Sequence, residues 1–276
     1  MAEYSQDADI HQYALEKASY PFLLFGQEDS RLRSFQTMID GIEKLERLNV
    51  MGLDIGVSLA EAIQAAKVQT YENLAIDMLK DIHKAAQESS YGNVLLPAVQ
   101  PMLIGMILSH GTDNFLAYIS ELLALVFQHR PQMLKASDGK EPPETVPLDL
   151  ILKHEQMSDL IQDLVERRVD QLSHRNTREL LRYVSKRLGF ALFPEEKKAE
   201  RLVRIVEQRN IFVHNRGVVN KIFLSRLPSF PAKPGDSLPL TLVGVFDDLD
   251  FLLAAAYDID VRATQHFNLT KPLELK

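Results

Sequence analysis

Arg209, Asn210 and His214 are the residues of this chain whose types and spacing most directly suggest chemistry. They fall near the end of a segment, Pro194 to Arg216, whose apolar residues recur with helical spacing. At about 100° per residue, Ala199, Leu202, Val203, Ile205, Val206, Phe212 and Val213 share one wide arc. Glu200, Arg201, Arg204, Glu207, Gln208 and Asn215 lie opposite. Arg209 sits near the middle of the apolar arc, Asn210 lies within it and His214 stands at its edge. A guanidinium inside an apolar stripe is costly unless something pairs with it. Two pairings fit. A phosphate accepts the forked donors of arginine. Alternatively, a carboxylate on a neighbouring helix, such as Glu166 or Asp170, makes Arg209 structural and leaves His214 merely favouring a helix end.

Position adds detail. His214 precedes Gly217, the expected left-handed cap, by about one turn. The negative end of the helix dipole favours a protonated imidazole, so His214 is expected to act as an acid or as a charged phosphate contact. Asn210 and His214 are neighbours at i and i+4, which places Asn210 to orient the imidazole or to touch phosphate. Arg209 and His214 lie about 140° apart around the helix, so one helix does not easily aim both at one point.

These residues need a scaffold, and the sequence offers helices. Strand signals are scarce, and breakers fall at regular intervals. Helices are expected over Ile10 to Ser19, ending before Tyr20-Pro21, and over Ser30 to Leu48. Ser58-Leu59-Ala60-Glu61 reads as a capping box opening a helix to Gln87. Val94 to Ser109 is helical with prolines at 97 and 101, and His110-Gly111-Thr112-Asp113 reads as a break. Thr112 or Asp113 then caps a helix from Asn114 to Gln128. A loop spans Lys135 to Pro143. Further helices cover Met157 to Leu172, a basic stretch capped by Asn176 or Thr177 and ending at Leu188-Gly189, and Val243 to His266. Pro228 to Leu240, with four prolines, is irregular. The fold class is therefore all-α, a helical bundle. A boundary between about residues 90 and 112 divides an N-terminal helical region, 1–111, from a C-terminal helical domain, 112–276.

The chain has 276 residues, no Cys and no Trp, 46% hydrophobic and 25% charged residues, and a formal charge of −7. Such a composition suits a soluble globular protein. Without cysteine there is no disulfide, thiolate metal site or thiol nucleophile, which fits a cytoplasmic setting. The N-terminus lacks a basic patch followed by an apolar run, so no secretory signal is expected. Val94 to Ser109 is short for a membrane span and contains Pro97, Gln100 and Pro101. The charge is unevenly placed: Leu164 to Arg226 holds 15 Lys or Arg against 7 Asp or Glu, leaving −15 for the rest. A segregated positive zone around the motif suggests an anionic partner.

The stretch Glu207-Gln208-Arg209-Asn210-Ile211-Phe212-Val213-His214-Asn215-Arg216-Gly217 resembles the Arg-Asn-x-x-x-His signature of HEPN domains. The helix Phe115 to Phe127, the pattern Val169-Asp170-Gln171-Leu172-Ser173, the short helix before Gly189 and the continuation Val218-Val219-Asn220 are similar to the same group. The resemblance runs from Thr112 to Asn268, and residues 1 to 90 show none. It implies an all-helical domain of a family rich in metal-independent endoribonucleases, often toxins or antiviral defence effectors. In such a reaction the RNA 2′-OH attacks the adjacent phosphate, leaving a cyclic phosphate and a free 5′-OH. Arg209 and His214, with Asn210, would be the catalytic residues; Arg204, Arg216, Arg182 and Lys186 would contact RNA. The family dimerises so that two motifs line one cleft, and Phe212 and Ile205 flank the arc where such a homodimer would meet. The family also holds members that only bind RNA, a nucleotide or a protein partner. A non-catalytic scaffold is therefore the alternative, and regulation by a protein partner or by modification near the motif is a third reading.

Other chemistries find little footing. His11, His83, His110, His129, His154, His174 and His266 are scattered without metal-helix spacing, and Asp247-Asp248-Leu249-Asp250 reads better as acids opening a helix than as a cation site. Gly52-Leu53-Asp54-Ile55-Gly56 lacks the lysine of a phosphate loop, and no serine sits in a nucleophile elbow. No metal, cofactor or membrane contact is expected. Arg167, Arg168, Arg175, Arg178, Arg182, Lys186 and Arg187 either track an RNA backbone or form a solvated basic face.

Overall fold

The structure, a computed structural model, describes residues 18–49, 95–135 and 145–269. Residues 28–107 form one compact unit, and residues 1–27 with 108–276 form another, which carries the motif. Among the described residues the chain is all-α. Its helices are α1 (Tyr20–Asn49), α2 (Leu95–His129), α3 (Leu148–Lys153), α4 (Met157–Ser173), α5 (Thr177–Leu188), α6 (Glu196–Asn215), α7 (Lys221–Arg226) and α8 (Leu242–Phe267). A 3-10 turn spans Pro131–Leu134, and the one β feature among these residues is an isolated antiparallel bridge, Val218 to Ser237. None of these helices is long and apolar enough to cross a membrane. Most of the helix expected at 10–19, the helix at 58–87 and most of the loop at 135–143 lie outside the described residues.

Pro21 starts a helix rather than ending one. The Phe22 N–H donates to the Ser19 hydroxyl at 3.3 Å and the Leu23 N–H to the Ser19 carbonyl at 3.2 Å, so Ser19 caps α1. Proline is tolerated in the first turn, where its missing N–H would have no helical acceptor. Helix α1 therefore opens well before the expected Ser30. Ser19 is itself fixed by Asp260 of α8, which is fully buried and accepts from the Ser19 N–H at 2.9 Å, from the Ser19 hydroxyl and from the Tyr118 hydroxyl at 3.4 Å. A buried carboxylate is tolerable only when donors surround it in this way.

The core beside this contact is aromatic. Phe25 and Tyr118 have ring centroids 5.6 Å apart, and Phe22 meets Tyr118 edge-on at 6.2 Å. Phe115, Ala256, Ile259 and Ala263 are fully buried around them. Each buried Phe contributes on the order of 2 kcal/mol by removal from water.

The break expected at His110-Gly111-Thr112-Asp113 does not occur, and α2 runs through it. Thr112 is fully buried, and its hydroxyl donates to the Leu108 carbonyl at 2.6 Å. The hydroxyl that was expected to cap a new helix bonds back to the preceding turn of the same one. Asp113 consequently sits within a helix, with its carboxylate available to another element.

Local signals are met elsewhere. The Asn176 side chain accepts the Glu179 N–H at 3.0 Å at the start of α5, and Gly189 closes it at φ 62°. Thr241 caps α8 through the Gly244 N–H at 3.1 Å. In α4, Asp163 accepts from Arg167 at 2.8 Å and faces His154 at 3.1 Å. The Arg167 guanidinium, then the His154 ring, hold the Asp163 carboxyl below its ordinary range. A carboxylate lowered in the folded state adds stability above its unfolded pKa and loses it as pH falls through the folded value. Asp163→Asn should therefore leave the melting temperature of wild type and variant closer at acid pH than at pH 7. A gap that is the same at both pH values would contradict this.

Candidate functional site

Helix α6 positions the motif, and it is covered on more than one side. Leu202, Val203, Ile205, Val206, Glu207, Gln208 and Ile211 are all buried. Glu207 and Gln208 were expected on the polar face. Their burial follows from what lies over them. Glu207 receives Arg226 Nη1 at 3.0 and 3.1 Å on its two carboxylate oxygens, and Gln208 Oε1 receives Arg204 Nη1 at 3.0 Å. Val203 and Ile211 join Val219, Phe223 and Leu227 in a second apolar cluster. The segment after the motif helix folds back to complete it: the Val219 N–H donates to the Asp236 carbonyl at 2.8 Å, and the Leu238 N–H to the Gly217 carbonyl at 2.7 Å.

Helix α8 clamps the other side. Asp248, 5% exposed, accepts from Arg201 Nε at 3.1 Å and Nη2 at 3.0 Å and from Arg204 Nη2 at 2.6 Å. Arg201 also reaches Asp247 at 2.5 Å and lies over the Phe251 ring at 4.6 Å. Asp247 and Asp248 thus face these guanidinium groups.

The last turn of α6 projects from this packing. Val213 and His214 are exposed, although Val213 was expected on the buried arc; among the described residues no element covers the end of the helix there. His214 makes no hydrogen bond within the described chain. Arg209 stands about one turn back. Its side chain is 23% exposed, and its Nη2 pairs with Asp113 Oδ1 of α2 at 2.8 Å, the Asp113 side chain being 47% exposed. Neither Glu166 nor Asp170 is the partner. Arg209 Nη1 donates to Asn210 Oδ1 at 3.1 Å, while Arg209 Nε is buried without an acceptor. Asn210 is therefore tied to the guanidinium rather than to the imidazole. Ile205 is fully buried within the chain, which removes it from any interface with a second copy; Phe212 remains half-buried.

A partly exposed guanidinium and an open imidazole share the exit of one helix. Such a pair can grip a phosphate and carry a proton. No protein-family model, no curated protein and no solved structure matches the chain. The chemistry must therefore be read from the residues themselves.

The helix end departs from expectation in one detail. Arg216, not only Gly217, has a positive φ, 53° against 73°. The Gly217 N–H reaches the Ile211 carbonyl at 3.1 Å, closing the last turn. A non-glycine residue in the left-handed region is strained. Arg216→Gly should raise stability by about 0.5–1 kcal/mol, read as a higher melting temperature. A lower one would show that the Arg216 side chain supplies more than the strain costs.

The flanking cations divide. Arg182 and Lys186 on α5 and Arg216 are exposed and carry no ion pair among the described residues. Arg204 is engaged by Asp248 and Gln208. Arg178 pairs with Glu200 at 2.6 Å, Arg226 with Glu207, and Arg175 and Arg187 lie over the Tyr183 ring at 5.3 and 5.7 Å. Asp113, Asp163, Asp247 and Asp248, which lie outside Leu164 to Arg226, pair with cations inside it and offset part of its excess. A cleft of about 700 Å³ between the 3-10 turn, α3 and α4 is lined by none of the motif residues. Asp113 is the site residue that sequence reasoning missed, because its type and spacing also suit a helix cap.

Proposed function

We propose that this chain is a HEPN-type, metal-independent endoribonuclease. The observation that carries the reading is the exposed His214 at the exit of the helix that also presents the Arg209 guanidinium. RNA supplies the nucleophile. As the 2′-oxygen bonds to phosphorus, its proton passes to water or to the imidazole of a second copy, and the bond from phosphorus to the 5′-oxygen breaks. His214 gives a proton to that 5′-oxygen, and Arg209 holds the phosphate oxygens as their charge grows. The products are a 2′,3′-cyclic phosphate and a 5′-OH. Asn210 steadies the guanidinium through its side-chain oxygen.

The angular separation of Arg209 and His214 favours a homodimer in which two motif helices line one cleft. Val213, Val218 and Ile222, exposed between the last turn of α6 and α7, give that interface apolar area. Arg216, Arg182 and Lys186 are the flanking cations open to RNA, whereas Arg204 is committed to Asp248. A cytoplasmic toxin or phage-defence effector is the role that the same resemblance supports.

One observation favours the second reading, a non-catalytic scaffold that binds RNA, a nucleotide or a protein. Arg209 already has a carboxylate partner. Purified protein incubated with total RNA in EDTA separates the two. Cleavage supports the nuclease. Salt-sensitive RNA binding without fragments supports the scaffold.

A further inference from the structure

An arginine grips a phosphate with two parallel donors from one edge of its guanidinium. Two such edges exist, Nη1 with Nη2 and Nε with Nη2, and Nη2 belongs to both. In this chain Nη2 of Arg209 is held by Asp113 Oδ1 at 2.8 Å. Nη1 donates to Asn210 Oδ1 at 3.1 Å, and Nε is buried with no acceptor. Nη2 carries two N–H bonds, one on each edge, so Asp113 takes one of the two and stands against one of the grips. It also cancels the charge, so an approaching anion meets a neutral pair instead of a cation.

We propose that Asp113 is a displaceable counter-ion that keeps Arg209 closed to phosphate until RNA arrives; this rests on the ribonuclease reading. Displacement is easy. The Asp113 side chain is 47% exposed, so a freed carboxylate turns to water at once. An ion pair this near the surface resists release by roughly fivefold at most. The buried Nε–H without an acceptor leaves the resting arrangement one hydrogen bond short, so it resists rearrangement less than a fully satisfied pair would. Asp113 is thus a gate on the reading's phosphate contact and takes no part in bond making.

Asp113→Asn isolates the charge. The amide oxygen can still accept from Nη2, so Arg209 keeps its place while the competing anion is gone. The measurement is fluorescence anisotropy with a 2′-O-methyl oligoribonucleotide, which lacks the attacking hydroxyl and is not cut. Wild type, Asp113→Asn, Arg209→Ala and the double variant are compared across salt concentrations. Asp113→Asn should bind about fivefold tighter, with a salt slope close to that of wild type, because the same phosphate is contacted in both complexes, whereas Arg209→Ala should lower the slope by about 0.7. In the Arg209→Ala background the gain should vanish. Equal or weaker binding by Asp113→Asn overturns the gate, and so does a gain that persists without Arg209. If Arg209→Ala weakens binding while Asp113→Asn does not strengthen it, the gate alone fails. If no form binds the oligonucleotide, the gate and the phosphate role of Arg209 fail together.

Discussion

Replacing His214 or Arg209 with alanine is expected to remove RNA cleavage and leave the fold intact. Loss of a proton-transferring group costs about 10²–10⁴ in rate. Loss of a donor to the developing charge costs about 10²–10³. The two groups act on one transition state, so the double variant should be little worse than either single one. Stability should barely move. His214 is exposed and makes no hydrogen bond among the described residues, and substitutions at such positions stay within about 0.5 kcal/mol. Arg209 gives up an ion pair with a 47% exposed aspartate, worth about 0–1 kcal/mol. Rates on a defined RNA, read beside melting curves, check both halves. Unchanged cleavage in the two variants would remove the catalytic assignment.

The second large effect concerns stability. Arg201→Ala combined with Arg204→Ala should destabilise the motif-bearing unit by about 3–5 kcal/mol, the cost of breaking a buried ion pair from one side. The reason is Asp248, whose side chain is 5% exposed and whose described donors are these two guanidinium groups. Without them a carboxylate is stranded between α6 and α8. For a unit of this size the melting temperature should drop by on the order of 10 °C. Replacing Asp248 with alanine as well should recover part of the loss, because no buried charge then remains. A double arginine variant that melts with wild type would show that the contact between α6 and α8 does not depend on this network.

The sequence discloses what is encoded locally. The periodic stretch at α6, the asparagine cap of α5, the glycine at its end and the irregular proline-rich segment near 228–240 depend on residues a few positions apart, and the structure holds them all. Residues with two possible local roles are harder. Pro21 ends or begins a helix depending on whether Ser19 caps it, and Thr112 caps or back-bonds depending on burial. Glu207 looks solvent-facing until Arg226 arrives from α7, and Gln208 until Arg204, one turn back on α6 and drawn to Asp248, lies beside it. The basic excess between Leu164 and Arg226 is visible in composition. Its partial offset by Asp113 and Asp248, which lie outside that stretch, is a matter of pairing, which counting does not reveal. Asp113 is the plainest case. Only the packing of α2 against α6 brings its carboxylate to Arg209.

The central claim is that His214 and Arg209 cut RNA through its own 2′-hydroxyl. Total RNA incubated in EDTA with wild type and with His214→Ala, followed by chemical mapping of the new ends, tests it most directly. The account predicts fragments with 2′,3′-cyclic phosphate and 5′-OH ends from wild type and none from His214→Ala. Intact RNA with wild type, or the same fragments from both proteins, would contradict it.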